Sequence, residues 1–224
     1  NDDTKKFYDF AKDFDLINEN SLNKKKEVPL YYAFKAYGND NSFLSMDSYL
    51  DEIFTELKGF SDSKIVIPEI NGKLRPYQID GVKWLSTLYK YSLGGILADD
   101  MGLGKTIETI AFINMIKNDK PILIVSPKSL VFNWVSEFNK FAKDIPVYPI
   151  IGTAEERKKI IKKIKNDKFG VFFISYDSLR NEYENLTDFT FDLVILDEAQ
   201  FIKNMHAKKT NAVKQMNALH TIAL

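Results

Sequence analysis

Short apolar segments rich in β-branched residues alternate with helical segments along the part of the chain that follows Pro68. These segments are apolar throughout, which is typical of parallel strands in a sheet that is covered by helices on both faces. The predicted strands are Gly95–Ala98, Ile122–Ser126, Val147–Ile151, Val171–Ser175, Leu193–Leu196 and His220–Leu224. The predicted helices are Lys105–Lys117, Ser129–Phe141, Ala154–Lys165, residues 206–217 and one that begins near Pro76. This order of elements predicts a doubly wound α/β domain with a parallel sheet.

Residues 1–65 have a different pattern, and we expect a small helical N-terminal segment there, ahead of the α/β domain at 66–224. A first helix is predicted from residues at helical spacing, Phe7, Phe10, Ala11 and Phe14. A second helix is predicted at Ser48–Lys58, where Ser48 and Asp51 form a capping-box pattern. No motif in this segment indicates chemistry, so we interpret it as an accessory or packing segment.

The composition excludes several classes of protein. Because 31 basic residues balance 31 acidic residues, the net charge does not indicate a nucleic-acid partner, and any DNA-binding face must be local. The sequence has no cysteine and only 2 histidines, which excludes a disulfide scaffold, thiolate metal sites and a histidine-rich metal centre. No segment has the pattern of a signal peptide or a membrane span, so we expect a soluble, intracellular protein without a membrane partner.

A glycine-containing turn follows the first predicted strand and opens the next helix. Glycines allow main-chain N–H groups to converge on one anion there, and the helix N-terminus adds the positive end of its dipole. We expect Lys105 to reach the β- and γ-phosphates of a nucleotide and Thr106 to place its hydroxyl on Mg²⁺. Asp99 stands where the general phosphate-loop pattern has glycine, so an ordinary strand-to-helix turn is the alternative for this loop taken alone. The predicted nucleotide-binding residues of the loop are Asp100, Met101, Gly102, Leu103, Gly104, Lys105 and Thr106.

An acidic pair follows a later apolar strand, in the run Asp197-Glu198-Ala199-Gln200. A carboxylate at the carboxyl end of a neighbouring parallel strand can reach a metal held above the phosphate loop. We therefore expect Asp197 to hold Mg²⁺, through water, and Glu198 to orient and deprotonate the attacking water. Together, the loop and the acidic pair predict nucleotide binding and hydrolysis.

These two motifs resemble those of the Swi/Snf family of superfamily 2 helicase-like ATPases, whose own form of the loop has aspartate at the position of Asp99. Leu74–Gln78, followed by Gly81 and Trp84, resembles the adenine-recognition motif of that family. Its two DNA-strand motifs are similar to Ser126–Leu130 with Asn133-Trp134 and Glu137-Phe138, and to Ile174–Leu179; Lys203-Asn204 also fits the family. The resemblance covers about residues 70–224 and implies the first RecA-like lobe of such a motor, a P-loop fold.

The resemblance also implies roles for single residues. Arg75, Gln78 and Gln200 are expected to bind ATP, with the Gln78 amide suited to the N6 and N7 edge of adenine. Residues at strand ends are expected to contact DNA phosphates, namely Ser126, Lys128, Ser175 and Tyr176. We expect Trp134 and Phe138 to be core residues of a helix. Glu108 stands where the family often has glutamine, and we interpret it as a polar residue that is exposed or supports the site from behind.

The resemblance implies an ATP hydrolase that uses Mg²⁺, moves along duplex DNA and remodels bound protein rather than separating strands. It also implies a second RecA-like lobe whose arginines complete the catalytic site. His220–Leu224 is similar to the strand that leads into the family's Gly-Thr-Pro motif, so we expect this sequence to lack that lobe and to be nearly inactive alone. For a bacterial host, the implied location is the cytoplasm, in association with the nucleoid.

Three alternatives remain open at this stage. A motor of a restriction system or a true helicase would carry the same motifs, and a nucleotide-dependent scaffold would bind without hydrolysis, although the complete set of catalytic residues argues against a scaffold. A basic cluster is interpreted as a solvated helix face above an apolar stripe, with a DNA-tracking surface as the alternative. Its members are Arg157, Lys158, Lys159, Lys162, Lys163, Lys165 and Lys168 around Ile160, Ile161 and Ile164.

Overall fold

A computed structural model of the chain describes Lys12 and residues 47–100, 102–117, 119–166, 169–204 and 206–224. The chain divides into two compact units, Asn1–Phe54 and Thr55–Leu224. The helix predicted around Phe7–Phe14 lies outside the described residues, apart from Lys12, and the boundary predicted after residue 65 stays a prediction.

Helix α1 spans Ser48–Lys58, as the sequence predicts. Its cap differs from the prediction. The Asp47 carboxylate oxygen Oδ1 accepts a hydrogen bond from the Leu50 N–H at 2.9 Å, so Asp47 caps the helix and Ser48 is its first residue. Aspartate is as good an N-cap as serine, and it stands one position earlier in the chain.

Within the described residues, the second unit is built on a six-stranded, wholly parallel sheet in the order β1-β6-β5-β2-β4-β3, which confirms the predicted α/β class. The strands are Gly95–Ile96 (β1), Ile122–Ser126 (β2), Val147–Pro149 (β3), Val171–Ser175 (β4), Thr190–Leu196 (β5) and Asn217–Ala223 (β6). Strand β1 is shorter than predicted, but the Leu97 N–H still donates to the Ala223 carbonyl at 2.8 Å. Strand β6 begins earlier than predicted, at Asn217, three residues ahead of His220.

Helices cover both faces of this sheet. The remaining α-helices are Pro76–Lys90 (α2), Lys105–Met115 (α3), Val131–Phe141 (α4), Ala154–Asn166 (α5), Tyr176–Leu186 (α6) and Lys208–Lys214 (α7). Short 3₁₀ turns occupy Phe60–Asp62, Lys128–Leu130 and Ala199–Ile202. In the described residues, no helix is long and apolar enough to cross a membrane.

Helix α6 is absent from the sequence prediction. Its buried positions include Glu182, which interrupts the apolar stripe by which a helix is recognised in a sequence. In the structure Glu182 forms an ion pair of 2.8 Å with Arg157 of α5, so a charged residue here joins two helices.

Alternate residues of the central strands enter two separate cores, because successive side chains of a strand point to opposite faces. On one face, residues such as Ile124, Phe173 and Ile195 pack in the same core as residues of α2, α3 and α4. On the other face, residues such as Val125 and Ile174 pack with α5, α6 and α7. Both faces are therefore buried, and the edge formed by the carboxyl ends of the strands is where the loops can form a site.

Candidate functional site

The loop between β1 and α3 depends on glycine at two positions. Gly102 has φ 89° and Gly104 has φ 91°, in the left-handed region that residues with a Cβ atom rarely adopt. Gly104 is the N-cap residue of α3, and a Cβ atom there would lie 2.5 Å from Gln78 Nε2. The loop therefore turns and packs as it does because both residues lack a side chain. Met101 lies outside the described residues.

Gln78 joins the start of α2 to this loop. Its Oε1 atom accepts a hydrogen bond from the Arg75 N–H at 2.9 Å, and its Nε2 atom donates to the Leu103 carbonyl at 3.0 Å. The exposed Tyr77 also donates its hydroxyl to the Leu103 carbonyl, at 2.9 Å. Sequence reasoning missed this structural role, in which Gln78 bonds the loop to the start of α2. An amide group has both a donor and an acceptor, so it suits this role as well as it suits adenine binding. The reading of adenine by Gln78, like the nucleotide contact of the exposed Arg75, stays a prediction.

A cleft of about 260 Å³ opens beside the loop. It brings most of the predicted catalytic and phosphate-binding side chains together with three residues of the segment after β2. The lining residues are Asp100, Gly102, Gly104, Lys105, Thr106, Leu130, Asn133, Trp134, Asp197, Glu198 and Leu224. Within the loop, the Lys105 ammonium group donates to the Asp99 carbonyl at 2.5 Å.

The donor set of the cleft fits Mg²⁺ bound together with a nucleotide. Mg²⁺ prefers hard oxygen ligands and is commonly held by one or two carboxylates together with substrate phosphates. The Thr106 hydroxyl and the Asp197 carboxylate are oxygen donors that border the same cleft. Glycine N–H groups and the Lys105 ammonium beside them suit phosphate oxygens.

Asp197 follows β5 directly, and hydrogen bonds hold it on several sides. Its N–H donates to the Val125 carbonyl at 2.8 Å, its Oδ2 atom accepts from the Trp134 indole N–H at 2.7 Å, and its carbonyl accepts from the Tyr176 hydroxyl at 2.9 Å. Burial raises the pKa of the Asp197 carboxyl, and the neighbouring Glu198 charge adds to this rise against the opposing effect of the indole bond. The core position predicted for Trp134 is confirmed, since it is buried, but sequence reasoning missed its contact with Asp197.

Glu198 lies in an uncommon backbone conformation. Its φ is 53°, in the left-handed region that costs free energy for a residue other than glycine. The turn at this residue ends β5 and leaves the carboxylate at the cleft. The amide of the exposed Gln200 donates to Glu198 Oε2, so Gln200 contacts the predicted general base, and its contact with ATP stays a prediction.

Glu108 is fully buried in the first turn of α3, which excludes the exposed position and leaves the other interpretation, that it supports the site from behind. Neither carboxylate oxygen has a hydrogen-bond partner among the described residues. A Cβ atom on Gly81 would lie 2.9 Å from Glu108 Oε2, so α2 has room for this carboxyl only because residue 81 is glycine. Burial raises the pKa of Glu108 to about 7, the charge of Asp99 adds to the rise, and Lys105 opposes it.

The residues predicted to contact DNA divide into two kinds. Lys128 is exposed, whereas Ser126, Ser175 and Tyr176 are 0%, 4% and 2% exposed. The Ser126 hydroxyl donates to the Pro127 carbonyl at 3.3 Å, and Ser175 Oγ accepts the Ser178 N–H at 3.1 Å as the cap of α6. The polar atoms of these three side chains are bonded inside the protein, since the Tyr176 hydroxyl also donates to the Asp197 carbonyl, and their contact with DNA stays a prediction.

The basic cluster on α5 forms an exposed face above an apolar stripe, and the choice between a solvated face and a DNA-tracking surface stays open. Ile161 and Ile164 are buried, and the lysines at 158, 159, 162, 163 and 165 are exposed. Arg157 is only partly exposed, and it pairs with Glu182 and donates to the Gly152 carbonyl at 2.6 Å. Lys168 lies outside the described residues.

Residues 77–224 match the SNF2-related domain. The chain belongs to the SNF2-related family. Among curated SNF2 relatives, the ISWI chromatin-remodeling complex ATPase ISW1 of Saccharomyces cerevisiae is 37% identical over 69% of this chain and 14% of that protein. An uncharacterized ATP-dependent helicase of Mycoplasma pneumoniae is 34% identical over 98% of this chain and 22% of that protein. This SNF2 chain therefore spans less than a quarter of the length of these relatives.

Two solved structures share the fold of this SNF2 domain. The Sulfolobus solfataricus SWI2/SNF2 ATPase core in complex with dsDNA is 34% identical, with a TM-score of 0.64 over 72% of this chain and 34% of that chain. The Sulfolobus solfataricus SWI2/SNF2 ATPase core domain is 33% identical, with a TM-score of 0.61 over 71% of this chain and 32% of that chain. The likeness confirms the predicted RecA-like fold with its phosphate loop.

Proposed function

We propose that this SNF2 chain is the ATP-binding lobe of a DNA-dependent ATPase. The observation that carries the proposal is one cleft that joins Lys105 and Thr106 of the phosphate loop to Asp197 and Glu198 of the acidic motif. Lys105 and Thr106 are needed to bind the phosphates of a nucleotide. Hydrolysis of ATP needs the acidic pair as well. A nucleotide-dependent scaffold would not require a carboxylate held at the cleft in a costly left-handed conformation, as Glu198 is.

In the proposed mechanism, the loop N–H groups and the Lys105 ammonium bind the β- and γ-phosphates of ATP. Thr106 and Asp197 hold Mg²⁺, which, when bound, neutralises charge on the phosphate oxygens. Glu198 accepts a proton from the attacking water as the general base. The hydrogen bond from Gln200 orients the Glu198 carboxylate.

The whole protein, in this proposal, moves along duplex DNA, remodels protein–DNA complexes and acts in the cytoplasm, with the nucleoid as its location in a bacterium. Two observations support it: a relative carries the name of a chromatin-remodeling ATPase, and a similar ATPase core was solved with dsDNA.

A second candidate is a true helicase, because the relatives that match nearly all of this chain are named ATP-dependent helicases. A strand-displacement assay separates the two: a remodelling translocase hydrolyses ATP on duplex DNA without releasing a labelled strand.

The proposal requires a second RecA-like lobe whose arginines stabilise the charge on the γ-phosphate. This chain covers 34% of the solved SWI2/SNF2 core, which is consistent with a motor of two lobes. An arginine supplied to such a site is worth about 10³–10⁵ in rate. We therefore expect residues 1–224 alone to hydrolyse ATP slower than the full-length protein by a factor in that range, with or without DNA.

The test is steady-state ATP hydrolysis by the full-length protein and by residues 1–224, each with and without duplex DNA. Stimulation of the full-length protein by DNA, and a slow fragment, are the expected results. A full-length protein that hydrolyses ATP equally well without DNA would contradict the DNA-dependent motor. A fragment as fast as the whole protein would contradict the requirement for a second lobe.

A further inference from the structure

Two aromatic side chains from separate segments donate hydrogen bonds to the same residue, Asp197. The Trp134 indole N–H donates to Oδ2 at 2.7 Å, and the Tyr176 hydroxyl donates to the main-chain carbonyl at 2.9 Å. Neither ring has a part in phosphate binding or in proton transfer as proposed above. Their convergence therefore needs an explanation of its own.

Packing fixes the position of both donors. Trp134 and Tyr176 are each 2% exposed. The indole packs beside Phe138 and Phe173, with ring centroids 6.3 and 6.5 Å away, and the Tyr176 ring is stacked on Phe201 with an interplanar angle of 3°. Buried indole N–H and phenol groups need a hydrogen-bond partner, and Asp197 supplies it for both. Each bond is thus held by a ring that cannot turn away without disrupting the packing around it.

The two donors lie on the two segments that the sequence assigns to DNA. Trp134 belongs to α4, which follows β2 after the turn Lys128–Leu130, and Tyr176 is the first residue of α6, directly after β4. In the sheet order β2 lies between β5 and β4, so both segments leave the sheet on the same side of β5, whose carboxyl end carries Asp197. Leu130 and Asn133 of the first segment also line the cleft.

We propose that Trp134 and Tyr176 are positioning residues that fix the orientation of Asp197 for binding the cation. Through these two residues, both segments affect the part of the site that holds the metal. The proposal rests on the proposed function, in which Asp197 holds Mg²⁺. A neutral donor suits this task, because it holds one carboxylate oxygen in place without cancelling the charge that attracts a cation. Lysine or arginine in the same place would compete with the cation instead. Partners of this kind behind a metal ligand are typically worth about 10–100-fold in metal affinity or activity.

The experiment measures how much Mg²⁺ the full-length protein needs to bind a fluorescent ATP analogue, at equilibrium, without DNA and without hydrolysis as the readout. Trp134→Phe should raise the required Mg²⁺ concentration by about tenfold or more, because it removes the donor and keeps an aromatic ring. Tyr176→Phe removes one hydrogen bond to the main chain of Asp197 and should raise the required Mg²⁺ concentration by a smaller factor, about threefold. In EDTA, both variants should bind the analogue as the wild type does, since the phosphate loop is unchanged.

Tyr89→Phe is the matched control. The Tyr89 hydroxyl donates to Asp192 Oδ2 at 2.8 Å, near the opposite end of β5. Like Tyr176→Phe, this variant deletes one tyrosine hydroxyl that bonds an aspartate, here at its carboxylate. It should cost stability and leave the Mg²⁺ requirement unchanged. An unchanged requirement in both Asp197-directed variants, or an equal rise in Tyr89→Phe, would overturn the proposal. Should Trp134→Phe fail to fold, the comparison of Tyr176→Phe with Tyr89→Phe decides the proposal. A wild-type protein whose nucleotide binding ignores Mg²⁺ would overturn the assignment of Mg²⁺ to Asp197 and this inference with it, whereas the hydrolysis assay with and without DNA decides the proposed function separately.

Discussion

Two regions at the same edge of the sheet use their polar side chains in opposite ways. In the cleft, Lys105, Thr106, Asp197 and Glu198 all border open space. The segments after β2 and β4 hold the four residues predicted to contact DNA. The hydroxyl groups of Ser126, Ser175 and Tyr176 are buried and bonded within the protein, and the fourth residue, Lys128, is exposed.

The difference shows what a strand-end motif can and cannot indicate. A lysine or an acidic pair at a strand end is costly to bury without a partner, so its place in a motif predicts a ligand well. A serine or tyrosine hydroxyl at the same edge can satisfy itself by capping a helix or by bonding a carbonyl. We therefore expect the cleft side chains to act on the nucleotide and the hydroxyls to act on the protein, and the predictions below test this contrast.

The largest expected effect is in the cleft. Glu198→Gln in the full-length protein should keep ATP binding and lower turnover by about 10²–10⁴-fold, because an amide cannot accept the proton of the attacking water. The measurement combines steady-state hydrolysis with equilibrium binding of a nucleotide analogue. Glu155→Gln, on the exposed side of α5, is the control and should leave both unchanged. Wild-type turnover in Glu198→Gln would assign the base to another residue.

A second effect concerns the buried carboxyl behind the cleft. The pKa of Glu108 is raised from 4.5 to about 7, so the folded protein binds a proton that the unfolded chain has already released between these pH values. Stability in the absence of nucleotide and metal should therefore fall as pH rises from about 4.5 to 7 and then level off. Glu108→Gln removes this dependence and should stabilise the protein by about 2–3 kcal/mol above pH 7, with little effect near pH 4.5. Urea unfolding of both proteins at several pH values measures it.

Glu182→Gln is the control of opposite sign. Glu182 is equally buried but paired with Arg157 at 2.8 Å, and it accepts a second bond from Asn185 at 2.9 Å. Removing its charge leaves an arginine without its partner, which should destabilise the protein. If both substitutions destabilised the protein above pH 7, Glu108 would have a partner that compensates its charge.

The sequence predicts the parallel sheet and the members of the cleft because both follow from local pattern. Continuous apolar strands indicate a sheet that is covered on both faces, and Lys105 and Asp197 stand where strands end. It does not predict α6, because the buried Glu182 breaks the apolar stripe and its partner Arg157 is distant in the chain. The hydrogen bond from Trp134 to Asp197 cannot be predicted from local pattern either, because it joins residues 63 positions apart. A tryptophan in a helix predicts only that the side chain is buried. Contacts of long range thus account for what the pattern misses.

The cap of α6 tests whether a hydroxyl at the second region is structural. Ser175→Ala removes the bond to the Ser178 N–H and should lower the free energy of unfolding by about 1 kcal/mol, the usual cost of losing an N-cap. Urea unfolding measures this cost, and a filter-binding titration with duplex DNA should show an unchanged affinity. A variant of full stability that bound DNA several-fold more weakly would return Ser175 to the DNA-binding surface and break the contrast.

The smallest effects separate the exposed lysines. Removing one phosphate contact lowers the slope of log affinity against log salt by about one unit. Lys128→Ala in the full-length protein should show that change, because Lys128 is exposed in the turn before α4 and next to residues that line the cleft. Changing four lysines of α5 to glutamate should leave the slope unchanged if that face is only solvated, although it reverses far more charge. The four are Lys158, Lys159, Lys162 and Lys163. The measurement is the binding of a labelled duplex at several salt concentrations by wild type and both variants. A slope lowered by several units in the α5 variant would make that face the DNA-tracking surface, and an unchanged slope in Lys128→Ala would remove the remaining side chain from the predicted contacts.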